Sequence, residues 1–190
     1  MERVRAASFR KSGASMMSHV APQSPAPQSS ERSRGAAGVW LGVVAVALVA
    51  IATAWVVLVK EPVAAAEGLP YADVLAGVEA AGLSLAGEGA LLAVWGGLAT
   101  LCGVAAATLV SLRRISSAAG RRVILALLGA NAGALVLGGF SASMDVADAF
   151  GVAGGSATWW PLALLAVSAL AVVALVVDVV RPRGAAPAGT

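Results

Sequence analysis

Four stretches of this chain, Val39 to Val59, Ala90 to Leu112, Val123 to Met144 and Trp160 to Val180, are apolar around the full circumference of a helix, and each exceeds 20 residues. At 1.5 Å of rise per residue, about 20 residues cross a hydrocarbon layer about 30 Å thick. A helix in a soluble core keeps a polar face for water, and these runs have none. Interior β-strands are the competing reading, but strands are short, and the runs are rich in Ala and Leu, which favour helix. Composition agrees: 59% of the 190 residues are hydrophobic, 12% are charged, and the mean hydropathy is +0.86. A soluble domain carries about 25% charged residues. The expected fold class is therefore all-α integral membrane, a four-transmembrane-helix bundle over residues 38–183 with a disordered basic N-terminal tail.

The tail is residues 1–37. It sets Arg3, Arg5, Arg10, Lys11, Arg32 and Arg34 among Ser, Gln and the prolines Pro22, Pro25 and Pro27. Such a segment buries too little apolar surface to offset its ordering entropy. Met1, Met16 and Met17 are alternative starts. Ala64 and Ala66 form an A-x-A-like site after the first run, yet a signal peptide has an apolar region of about 7 to 15 residues, shorter than Val39 to Val59. An uncleaved helix is expected. The Arg- and Ser-rich first 18 residues also fit a mitochondrial presequence, a weaker reading. Residues 184–190 read as a flexible C-terminus.

Charge placement gives the orientation. Besides the six basic residues of the tail, Arg113, Arg114, Arg121 and Arg122 flank the connection between the second and third runs, and Arg181 and Arg183 follow the fourth. With four crossings, all of these fall on one side, which the positive-inside rule makes cytoplasmic. Both termini are then cytoplasmic, and the expected location is the cell (plasma or inner) membrane. Attraction of these arginines to anionic headgroups, about 1 kcal/mol for each near the surface, accounts for the basic pI. Nucleic-acid binding would need an aromatic stacking set beside the basic residues, so nucleic acid is not an expected partner. Lys60, the thirteenth basic residue, ends the first run, where it can snorkel outward. Glu61, Glu67, Asp73, Glu79, Glu88, Asp145 and Asp148 fall in the two segments assigned outside. Trp55, Trp95, Trp159 and Trp160 sit toward that side and Trp40 toward the other, as interfacial belts do.

The inner connection, Arg113 to Arg122, is short and makes the second and third helices an antiparallel hairpin. In the first outer connection, Tyr71, Val74, Leu75 and Val78 recur at i, i+3, i+4 and i+7 between Pro70 and Gly82. This spacing predicts an amphipathic helix over 70–81. Its apolar face caps the bundle or lies in the headgroup layer, or else docks a partner. In the second, Asp145 and Asp148 read as solvated acids, because a calcium site needs six to eight oxygens in a recognisable loop.

Inside the bilayer, pumps and proton-coupled exporters keep an ionisable residue near the midplane, and these runs have none there. Asp178 lies near the inner end, three residues before Arg181, and reads as half of an interfacial ion pair. The third run holds Gly129, Asn131 and Gly133, a G-x-x-x-G around a polar amide, and the second offers Ala99, Gly103 and Ala107 at the same spacing. Small residues let helix backbones approach closely, so these seams are expected to face each other or a second protomer. Asn131 is expected to hydrogen-bond across helices.

One cysteine, Cys102, cannot form an internal disulfide or a thiol pair, and one histidine, His19, cannot ligate a haem or build a zinc site. No cofactor and no metal are expected, and with no nucleophile set beside an acid-base group the chain is not read as an enzyme. The functional expectation is a structural or accessory subunit, or scaffold, of a larger membrane complex. The alternative is a small homo-oligomeric transporter or channel lined by Asn131 and the glycine seams.

Overall fold

The computed structural model describes residues 28–154 and 157–181, with side chains from residue 35. The first 27 residues of the expected tail, the C-terminal segment 184–190 and Arg183 lie outside the described residues. Among those described, the chain is helical without a strand, and four of its helices are long and apolar enough to cross a membrane. Helix α1 runs Gln28–Trp55, passes through a π-helical turn at Val56–Lys60 and ends with an α-helical turn, Glu61–Ala65. A surface helix, α2, is Tyr71–Ala80; α3 is Ala86–Ser111, α4 is Ser117–Phe150 and α5 is Trp160–Val180.

Several boundaries of the bundle have a local cause. Residues 28–37, read as tail from composition, are the first turns of α1. They follow Pro27, and once the apolar segment has nucleated a helix, each added residue gains a hydrogen bond at little cost. At the other end, Pro62 has no N–H to donate to Leu58, and its ring crowds that carbonyl. The ladder widens just before it, and the Glu61 N–H bonds to Val56 O, five residues back. This carries α1 six residues beyond the expected stop at Val59. The helix is closed by Gly68 N donating to Val63 O at 2.8 Å, with Glu67 and Gly68 at positive φ.

Helix α2 lies within a residue of the span that its periodicity suggests at each end. Pro70 precedes it, and at its end Gly82 turns the chain at φ 75° while Leu83 N bonds to Val78 O. The connection from α3 to α4 is only Leu112 to Ser116, so Arg121 and Arg122 belong to α4 itself and not to a ten-residue loop. Arg113 takes the left-handed conformation (φ 60°), and Ser116 caps α4 by accepting from Ala119 N at 3.1 Å. Helix α4 has 34 residues, about 51 Å at 1.5 Å per residue, so it overshoots the hydrocarbon at its far end. Asp145 and Asp148 lie on that extension, which stops at Gly151 (φ 63°).

Helices α1, α3 and α4 pack on one another in all three pairings, while α5 leans almost entirely on α4. The end holding Arg113, Arg114, Arg121, Arg122 and Arg181 is called the basic end here, and the opposite end, with α2, the acidic end. Two cores divide the length. Toward the basic end, Val39, Val43, Val46, Ala99, Ala107, Val110 and Ile124 interlock. Toward the acidic end, Val56, Val57, Val78, Leu92, Leu135, Ala142, Val146 and Leu164 do so. In lipid such cores hold by close packing rather than by escape from water.

Candidate functional site

The polar side chains that enter the bundle are placed by the packing just described. Asn131, 4% exposed, projects from the middle of α4 toward α1, and its Nδ2 donates to Oγ1 of Thr53, 1% exposed, at 2.9 Å. The interhelical bond expected of Asn131 therefore exists. Thr53 is the partner that sequence reading missed, although it is the sole hydroxyl residue between Val39 and Val59.

The two small-residue seams do not face each other. Ala99, Gly103 and Ala107 on α3 turn toward α1 and the start of α4. A Cβ built on Gly103 would lie 3.4 Å from Val43 and 3.5 Å from Ile124. Gly129 turns the other way, toward α5, where an added Cβ would meet Val172 at 2.7 Å. Gly133 is exposed, with nothing within 4 Å of an added Cβ. Residues four apart share a helix face only approximately, and here the four-residue step carries Gly129 into an interface and Gly133 out of it.

At the basic end, Asp178 does not pair with Arg181. It accepts from Arg121, and from Arg122 Nε at 2.7 Å, while the second arm of the Arg122 guanidinium reaches the Asp178 carbonyl at 2.9 Å. Arg181 has left helical geometry (ψ 117°), so the expected one-turn spacing does not hold there. The first turns of α4 rise beside the end of α5 instead, and they supply two guanidiniums. Arg113 and Arg114 are exposed on the connection. Trp40 donates to Ser111 Oγ at 3.2 Å, tying α1 to α3 at the same level.

At the acidic end, the π-helical turn rotates Glu61 into the bundle, where it is 8% exposed. One carboxylate oxygen accepts from Ala157 N at 2.6 Å, and the other from the Thr158 hydroxyl. A residue of the α1 terminus thus fastens the segment that leads into α5. Pro62 is the sequence signal for this turn; the contact itself spans 96 residues and has no local signature. Trp159 stacks on Trp160 at 4.2 Å, Trp55 meets Trp160 edge-on at 6.4 Å, and Lys60 Nζ lies 4.7 Å from the Trp55 ring. These residues form one aromatic cluster, with the Lys60 cation over its Trp55 edge. Trp95 instead sits well inside α3, against the core. Ser141 donates to Glu88 at 2.6 Å.

The apolar face of α2 is turned into the bundle. Val74 is 0% and Val78 1% exposed, and Leu75 packs beside Phe150 against the same core. A Cβ on Gly77 would fall 2.5 Å from the Phe150 ring, so α2 lies flat on the end of α4. Of the four candidate docking residues, Tyr71 alone is exposed. The packing is that of a lid on the end of the bundle.

No known protein family, curated protein or solved structure matches this chain.

Proposed function

We propose that this protein is a structural or accessory component of a cell membrane, a small subunit or scaffold that binds a larger membrane complex. The observation that carries the reading is how two polar side chains of the spanning helices, Asn131 and Asp178, are used. Asn131 is spent on Thr53 and Asp178 on Arg121 and Arg122. Each pair joins one helix to another rather than lining a path. A transporter or channel, the alternative, would need such groups turned toward cargo. A buried and already paired amide favours the accessory role.

In this reading the basic end is cytoplasmic, following the positive-inside rule, and Arg113, Arg114 and Arg181 meet anionic headgroups there. The surface offered to a partner lies within the membrane. Helix α5 leans on α4 and presents Leu170, Val173, Val176 and Val177 outward. The reading assigns no catalytic step and no cofactor to the chain.

The test is to extract the tagged protein from its native membrane in mild detergent and to identify co-purifying proteins by mass spectrometry against an untagged control. A companion at fixed ratio supports the reading. Recovery as a homo-oligomer alone overturns it and gives first place to transport, with flux through liposomes as the next measurement.

A further inference from the structure

Between the π-helical turn of α1, the second half of α4 and the first turns of α5 runs an open groove of about 180 Å³, lined by Val57, Leu135, Val136, Gly139, Phe140 and Leu165 and bordered at its top by Glu61, Ser143 and Pro161. We propose that this groove holds one acyl chain of a phospholipid from the leaflet at the acidic end.

Depth is the first reason. From Ser143 down to Leu135 is eight residues of α4, about 12 Å, and one leaflet of hydrocarbon is about 15 Å thick. The top of the groove lies beside the belt of Trp55, Trp159, Trp160 and Lys60, residue types that sit at headgroup level. The groove therefore spans the depth that one lipid tail occupies.

The chemistry of the lining is the second reason. Both polar residues at the top have their oxygens engaged. Ser143 donates to Phe140 O at 2.9 Å, and Glu61 holds Ala157 N and Thr158. The remaining walls are apolar, so the groove suits an occupant with no hydrogen bonds to make. At about 180 Å³ the groove is far smaller than a helix about 10 Å across, and a stretch of polymethylene chain is the slimmer occupant.

The third reason is the shape that the local backbone gives the groove. The π-helical turn before Pro62 brings Val57 and Glu61 to its edge. Gly139 keeps the floor low beside Val57: even a Cβ there would stand 3.7 Å from Val57, ordinary contact distance. A larger side chain at position 139 has to extend into the groove.

The experiment measures phospholipid retained by the full chain after extensive washing in mild detergent, by phosphate assay and native mass spectrometry. The wild type is expected to keep about one phospholipid per chain. Gly139→Leu and Leu165→Trp, which fill the groove from α4 and from α5, are each expected to reduce retention at least tenfold. Gly133→Leu, on the open surface of the same helix, is expected to keep the wild-type amount. Circular dichroism and gel filtration identify a variant that misfolds, and the other filling variant then decides. Absence of a stoichiometric phospholipid on the wild type overturns the proposal, and so does full retention by a folded groove-filling variant. If filling the groove instead splits an oligomer, the seat belongs to a second copy of the chain, and the proposal fails.

Discussion

Asn131 Nδ2 stands 2.9 Å from Thr53 Oγ1, joining α4 to α1 across 78 residues of sequence in the apolar middle of the bundle. Removing either partner leaves a polar group in a dry interior. Replacing both by apolar residues of similar shape removes the demand as well as the bond. Thr53→Val and Asn131→Leu are each expected to destabilise the bundle by about 1 kcal/mol. The double variant should lose less than the sum of the two, a difference that a double-mutant cycle of unfolding in detergent measures. Additive losses would mean that the two side chains do not act together.

The glycines of α4 separate into two kinds. Gly129→Leu drives a side chain into Val172, whose Cγ2 would lie 2.7 Å from the new Cβ, and is expected to cost about 1–3 kcal/mol, as overpacking does. Gly133→Leu meets open space and should alter the stability of the single chain by no more than about 0.5 kcal/mol. Thermal unfolding of the two variants side by side gives the contrast. Equal losses would refute this placement of α4 against α5.

Asp178 is held by two guanidiniums from the first turns of α4. With side-chain exposures of 59% for Arg121 and 19% for Asp178, solvent reaches the pair, and salt weakens such contacts. Asp178→Asn is expected to lower the thermal midpoint modestly and to raise the amount of anionic lipid retained in detergent, because two arginines lose their internal counter-charge. Native mass spectrometry from micelles doped with anionic lipid reads out the second effect, and unchanged retention would count against it.

Glu61 fastens Ala157 and Thr158. Hydrogen bonds to a charged group contribute about 1.5–3 kcal/mol. Glu61→Ala should therefore release the segment before α5 and speed proteolysis there several-fold, while the helices themselves stay resistant. Limited proteolysis with mass mapping follows this directly. Cleavage at the wild-type rate would show that the carboxylate is dispensable as a clasp.

Orientation is open to a separate check. With Cys102→Ser as background, a single cysteine at Ser117 should resist an impermeant thiol reagent added from outside, and one at Ser84 should react. Labelling in the reverse sense would invert the assignment of both ends.

Much of this architecture is written in the sequence because its causes are local. Four long apolar runs require four helices, since a backbone in lipid must satisfy its own hydrogen bonds. The i, i+3, i+4, i+7 spacing of Tyr71, Val74, Leu75 and Val78 requires α2, and Gly82 ends it. Partner choice is a different matter. Nothing near Asp178 distinguishes Arg181, three residues away, from Arg121 and Arg122 on another helix. Nothing near Asn131 names Thr53, and the matching four-residue steps of the two seams do not reveal that one faces α1 while Gly129 faces α5. Those outcomes depend on the rotation of each helix about its axis. In a bilayer no apolar face is driven inward, because lipid is as apolar as the core. The helices are decided by composition, and which faces meet is decided by close packing and by the few polar groups that must find one another.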